Sequence, residues 1–221
     1  MKDFTFNVPQ DIIFGKGSLK RLPELLEKSG SKKMLLISGP VLKKIGMVEK
    51  VEEIVKASGI EVEVFTDVEA NPSVATVDKA TEAYKKAGAT SIVAFGGGSP
   101  MDVAKAVGVL AKYGGEIGDY EGAHKVPGPI VPIIAIPTTA GTGSEVTAFS
   151  VITDEARNYK LTVFSYELIP SYALLDPELV MTSPASVAAA CGVDALIHAW
   201  EAYTSRDASP FLMQWQKRQW N

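Results

Sequence analysis

Cysteine is almost missing from this chain: Cys191 is the one thiol in 221 residues. A lone cysteine excludes an internal disulfide framework and suits a reducing compartment. Histidine is nearly as scarce, with only His124 and His198, which bounds the metal chemistry the sequence can support. No apolar run approaches the roughly 18 residues that cross a bilayer. The opening residues, Met1-Lys2-Asp3-Phe4-Thr5, lack the apolar stretch of a secretory signal, so a cytoplasmic location is expected. Positive charge is in deficit, 22 basic against 26 acidic residues for a net −4, which argues against nucleic-acid or membrane partners. What is present is ordinary for a globular protein. The chain is 46% apolar and 22% charged, enough for a packed core without staples.

Most of the chain alternates short β-rich runs with helical runs. Met34-Leu35-Leu36-Ile37 reads as a buried strand closed by Ser38-Gly39-Pro40, and Val48, Val51, Ile54 and Val55 repeat at helical spacing. A strand over Ile60–Phe65 follows. Asn71-Pro72 reads as an N-cap and first-turn proline for a helix that Gly88 stops. Ser91–Phe95 and Ile130–Ile136 are the next strands. Alternation at this spacing implies βαβ units and a doubly wound, mostly parallel α/β sheet. Past residue 180 the character changes. Ser183-Pro184 starts a helix through the alanine-rich Ala185–Ala190, Gly192 interrupts it, and Val193–Tyr203 forms a second. The expected division is an α/β domain over 1–180 and the beginning of an all-helical domain over 181–221.

Three stretches carry chemistry. Gly96-Gly97-Gly98-Ser99-Pro100-Met101-Asp102 joins a strand to a helix. The glycines permit a tight turn and close approach to a ligand, Ser99 reads as the N-cap, Pro100 as the first helical residue, and Asp102 as the acid of a capping box. Free amides at such a helix start suit a phosphate. The run is neither a GxGxxG fingerprint nor a Walker loop. Thr138-Thr139-Ala140-Gly141-Thr142-Gly143-Ser144-Glu145 follows another strand, with small side chains that leave room for a ligand. Two such loops at the carboxyl ends of strands in one sheet suggest a nucleotide crevice. Asp194 and His198 stand four apart on a predicted helix and so share a face. The plain reading of that pair is a solvated helix face. The other is a metal grip, for which two donors are too few to make a tight site. His124 reads as a solvated loop residue and Cys191 as a buried, inert thiol.

Phe95–Ala106, Ile136–Thr147, Cys191–Glu201 and Ile13-Phe14-Gly15-Lys16-Gly17 together resemble the iron-containing (group III) alcohol dehydrogenase family over about residues 5–208. The resemblance implies a dinucleotide-binding domain followed by a helical metal domain. It also implies reversible, NAD(P)-dependent oxidation of a small alcohol to an aldehyde or ketone, assisted by Fe2+ or Zn2+. The reaction is metal-dependent, and no separate catalytic side chain is assigned. Carried over by position, Gly97, Gly98 and Ser99 would meet the pyrophosphate. Asp102, Thr138, Thr139, Thr142, Phe149 and Lys160 would line the nicotinamide and ribose side, and Asn71 and Leu179 would be further cofactor contacts. Asp194 and His198 would be the first two metal ligands.

Two departures from the family pattern matter. Gly39 stands where many members carry an Asp that binds the adenosine ribose. Losing that acid removes repulsion against a 2′-phosphate, and Lys43 and Lys44 are near in sequence, so NADP is expected over NAD. The family's metal site also takes two further histidines from downstream helices, which this chain lacks. A tail with two Trp and three Gln, Ser209–Asn221, stands where a helix should continue. The chain therefore reads as truncated or frame-disrupted and impaired in turnover. The alternatives are a catalytically silent dinucleotide-binding remnant and a glycerol-dehydrogenase-like enzyme. Apolar surface at Val187, Ala190, Leu196 and Trp200, with pairing through a strand over Phe4–Val8, predicts a homodimer or larger assembly.

Overall fold

The structure is a computed structural model that describes residues 8–206. Six parallel strands make the main sheet: β1 (Asp11–Phe14), β2 (Lys33–Ile37), β3 (Glu61–Phe65), β4 (Ser91–Gly96), β6 (Ile133–Pro137) and β9 (Tyr172–Leu175). Their order is β1-β9-β6-β4-β2-β3, and every pairing is parallel. The intervening β5 (Gly122–Ala123), β7 (Phe149–Asp154) and β8 (Tyr159–Phe164) form a separate small sheet in which β7 and β8 are an antiparallel hairpin. The helices are α1 (Leu22–Lys28), α2 (Pro40–Lys44), α3 (Met47–Lys56), α4 (Val74–Ala87), α5 (Gly98–Tyr113), α6 (Pro177–Val180) and α7 (Ala185–Thr204).

Both faces of the main sheet are covered, which is why its central strands are apolar without alternation. Leu35, Ile37, Ile92, Ala94, Ile133 and Ala135 face one core with residues of α4, α5 and the hairpin. Met34, Leu36, Val93, Phe95, Ile134 and Ile136 face the other core with residues of α1 and α3. The chain runs outward from β2 to β3, then returns through α4 to place β4 on the other side of β2. Crevices for ligands lie beyond the carboxyl ends of strands at such a reversal. Here that point is flanked by Gly39 after β2 and Gly97 after β4.

The doubly wound α/β architecture agrees with the sequence reading, with local corrections. The N-cap of α4 is Ser73, whose Oγ accepts from the Thr76 amide at 3.3 Å. Asn71 lies outside the helix at φ 54, because its carbonyl is turned to receive the Thr153 hydroxyl of β7 at 3.1 Å. Ser99 is not the N-cap of α5. Gly97 takes that place without a side-chain cap, and Ser99 and Pro100 lie within the first turn. Asp102 makes no capping box, since its carboxylate accepts from the Ser144 hydroxyl and the Val151 amide instead. The strand expected from Ile130 begins at Ile133. Gly192 does not break the last helix. α7 runs unbroken over Ala185–Thr204, since one interior glycine costs about 1 kcal/mol relative to alanine and the surrounding alanines are the strongest helix formers.

Strands β1 and β9 and the β7–β8 hairpin had no counterpart in the sequence reading. Asp176, at the end of β9, accepts from the amides of Gly17 and Leu19 at 3.1 Å each and so fixes the Gly15-Lys16-Gly17 loop. The hairpin is fastened to the β3–α4 loop where the Thr153 amide donates to the Pro72 carbonyl at 2.8 Å. Among the described residues no helix is long and apolar enough to cross a membrane. The Phe4–Asn7 part of the expected N-terminal strand and the 207–221 tail lie outside the described residues.

Candidate functional site

The glycine turn after β4 takes its shape from two steric constraints. Gly96 has φ 148, and a Cβ there would lie 2.8 Å from Pro100 Cγ. Gly141, in the loop after β6, has φ 156, and a Cβ there would lie 2.2 Å from the Cys191 carbonyl oxygen. The first constraint lets β4 turn directly into α5. The second lets α7 lie against the Thr138–Ser144 loop, where the Ser183 hydroxyl also donates to the Thr138 carbonyl at 2.6 Å. Contact through its backbone leaves Cys191 partly buried rather than buried.

Two cavities open along this junction. One of about 490 Å³ is lined by Gly39, Gly97, Gly98, Ser99, Thr138 and Thr139, together with α2 and the start of α7. The other, of about 520 Å³, is lined by Asn71, Gly98, Ser99, Asp102, Thr142, Phe149, Lys160, Asp194 and His198. They share Gly98 and Ser99, the first residues of α5. The structure thus brings together every cofactor residue expected from the sequence except Leu179. That side chain lines neither cavity, is 3% exposed and packs in the core.

The second cavity has an aromatic wall and a polar edge. Phe149 is stacked on Phe164 with ring centroids 4.6 Å apart, and Phe164 meets His124 edge-on at 4.8 Å. His124 is exposed as expected, but its ring rests on Phe164 and Tyr166. Lys160 Nζ donates to Asn71 Oδ1 at 2.9 Å, linking the hairpin to the β3–α4 loop across the cavity edge. Burial raises the Asp102 carboxyl above its usual range, opposed by the charge of Lys105 and by the bonds from Ser144 and Val151.

Several lining and supporting residues carry no assigned contact in the sequence reading: Thr147, Val151 and, above all, Lys105, with Ser144 named there only as part of the small-residue loop. Lys105 is fully buried. Its Nζ lies within hydrogen-bonding distance of five oxygens: the Ser144 carbonyl (2.7 Å) and hydroxyl (3.2 Å), the Thr147 carbonyl (3.0 Å) and hydroxyl (3.2 Å), and the Phe149 carbonyl (2.8 Å). The available signal was a single charge inside the otherwise apolar run Val103–Leu110. A lysine on a buried helix face requires partners.

Comparison with known proteins places this geometry. The family model for iron-containing alcohol dehydrogenase matches residues 9–177. The chain belongs to that family. The NAD-dependent methanol dehydrogenase of Bacillus methanolicus is 39% identical over 205 residues, 93% of this chain and 54% of the relative. The NADPH-dependent butanol dehydrogenase of Clostridium saccharobutylicum is 41% identical over 209 residues, 93% of this chain and 53% of the relative. A solved alcohol dehydrogenase from Oenococcus oeni superposes with a TM-score of 0.92 at 34% identity, covering 97% of this chain and 56% of that one. The chain spans about half the length of the curated relatives it matches.

Iron is implied by the family. Asp194 and His198 lie one turn apart on α7, His198 Nε2 standing 3.9 Å from Asp194 Oδ1, and both side chains are about half exposed. Among the described residues no group of three or more His, Cys, Asp or Glu side chains is arranged to hold a metal. Tight sites take three protein donors or more. The pair therefore does not by itself fit a resident metal ion.

Proposed function

We propose that this polypeptide is the dinucleotide-binding part of an NAD(P)-dependent oxidoreductase that interconverts a small alcohol and an aldehyde or ketone. The observation that carries the reading is the start of α5. It has no side-chain cap and opens where the two cavities meet. The first amides of a helix have no intrahelical partner, and the helix dipole favours an anion there. The amides of Gly97, Gly98 and Ser99 thus receive the pyrophosphate. The adenosine half lies toward Gly39, in the first cavity. The nicotinamide half lies in the second, against the Phe149 ring, with Thr138, Thr139, Thr142, Asn71 and Lys160 offering donors and acceptors. Bound there, the nicotinamide would supply a hydride acceptor for an alcohol carbon, or a hydride donor for the carbonyl in the reverse direction.

Gly39 places no carboxylate beside the adenosine ribose, and a Cβ there would come 3.3 Å from the Val68 carbonyl. Gly39 itself sets no carboxylate against a 2′-phosphate, which favours NADP(H), while the Glu69 carboxylate, also in the lining of this cavity, is engaged by Ser73 and Thr76. The relatives' names include both NAD- and NADPH-dependent enzymes. The proposed division of the chain lies near residue 180, between the sheet and α7, with Asp194 and His198 as metal donors from the second part. Two donors hold Fe2+ or Zn2+ weakly, so this polypeptide on its own binds dinucleotide but turns over little alcohol. That donor count also favours the second reading, a catalytically silent dinucleotide-binding unit. Fluorescence titration with NADPH and NADH, paired with turnover assays on short-chain alcohols with added Fe2+ or Zn2+, tests all of this. Saturable binding, tighter for NADPH, with low turnover is expected. Absence of binding refutes the site. Equal affinities remove the NADP preference, and brisk turnover at full metal occupancy refutes the impairment.

A further inference from the structure

Lys105 does not line the dinucleotide cavities, yet it is the most heavily bonded side chain beside them. α5 carries the proposed pyrophosphate site at its start and Lys105 two turns further on. The five oxygens around Nζ all belong to Ser144, Thr147 and Phe149. These three residues also line the second cavity: Ser144 opens the 3-10 turn Ser144–Val146, Thr147 follows that turn, and Phe149 begins β7. Three of the five oxygens are backbone carbonyls. The Ser144 carbonyl also receives the Thr147 amide at 3.4 Å, and Phe149 opens β7 opposite Phe164, so the lysine ties this stretch of backbone to α5 where the hairpin begins.

We infer that Lys105 is a positioning residue: its ammonium draws the Ser144–Phe149 backbone onto α5 and thereby sets the wall against which the dinucleotide lies. This inference rests on the dinucleotide reading of the second cavity. An ammonium offers three donors and no acceptor, whereas the neutral amine offers two donors. Loss of the proton therefore leaves fewer of the five oxygens with a partner. The ionisable groups that face Nζ are Asp102 on its own helix and Glu145 on the 3-10 turn. Burial lowers Lys105 from its ordinary 10.5 to about 8, against the pull of those two carboxylates. The folded state binds this proton less tightly than the unfolded chain does. Between about 8 and 10.5 the unfolded state therefore carries more of it, and as far as Lys105 is concerned stability rises with pH in that window. A wall opened to water would return Lys105 toward its ordinary value, so rising pH through this window does not open it.

The test uses the 221-residue chain, NADPH as probe, and the variants Lys105→Met and Lys105→Arg. Removing charge-assisted bonds of this kind predicts roughly tenfold or greater weakening of NADPH binding in Lys105→Met. Lys105→Arg keeps the charge and is expected to retain more of the affinity than Lys105→Met. Wild-type affinity in Lys105→Met, or a loss in Lys105→Arg as deep as in Lys105→Met, would overturn the inference. Amide hydrogen exchange at Val146 and Thr147 gives a readout independent of the ligand. Reduced protection in Lys105→Met supports the role, and unchanged protection overturns it. If wild type binds no NADPH, the dinucleotide reading fails while exchange still decides whether Lys105 holds this backbone.

Discussion

Replacing Gly141 by alanine probes the contact that joins the two parts of the chain. At φ 156 the residue occupies backbone space that side chains rarely enter, and a Cβ would lie 2.2 Å from the Cys191 carbonyl oxygen and 2.7 Å from its carbon. Those are helix backbone atoms, so no side-chain rotation relieves the overlap. Backbone strain of this type costs about 1–3 kcal/mol, and forcing extra volume into a packed contact costs about 1–3 kcal/mol more. The expected destabilisation is about 2–6 kcal/mol. At about 2–4 °C per kcal/mol for a chain of this size, that is a drop of at least about 4 °C in Tm. If α7 instead moves away from the loop, the penalty appears as faster hydrogen exchange in α7. Gly192→Ala is the matched control, because nothing lies within 4 Å of its would-be Cβ. It should gain about 0.5–1 kcal/mol from helix propensity. A Gly141→Ala variant with both the melting temperature and the α7 protection of wild type would show that the loop and helix are not in contact, and the proximity of Asp194 and His198 to the cavity would fall with it.

Two further expectations follow from the same packing. Ser73→Ala removes the side-chain cap of α4 and should lower stability by about 1 kcal/mol in urea denaturation, whereas an unchanged midpoint would mean the cap bond is not made. The exposed apolar side chains of α7, among them Val187, Leu196, Ile197 and Trp200 at 38–56% exposure, should drive self-association into a homodimer or larger species. Light scattering checks this, and a clean monomer at micromolar concentration would count against it.

The parts of the fold that were readable in advance share one property: their local sequence has few alternatives. Leu35–Ile37 and Ile92–Phe95 are apolar runs flanked by turn residues, and a sheet covered on both faces requires that pattern. Helices α3 and α4 show their buried stripes at helical spacing, and Gly88 ends α4 at φ 65. What was misread depended on distant partners. Asn71 is a reasonable cap until the hairpin draws its carbonyl toward Thr153. Asp102 is a reasonable capping-box acid until Ser144 and Val151 claim its carboxylate from 42 and 49 residues away. The hairpin itself did alternate, with Ser150 and Ile152 buried between less buried neighbours. Its short strands, though, stand outside the βαβ rhythm that organised the reading.

The chain's own order of residues determined the class of fold, the glycine turn after β4 and the threonine- and glycine-rich loop after β6, because close backbone approach restricts such positions to very few residue types. It also set Asp194 and His198 at a spacing that shares a helix face. Tertiary structure alone decided that Gly98 and Ser99 sit where two cavities meet, that Gly141 lies against the backbone of α7, and that Lys105 turns inward to five oxygens. These are matters of which surfaces meet. A lysine in an apolar stretch has the same local propensities whether it reaches solvent or a neighbouring loop, and only packing chooses between them.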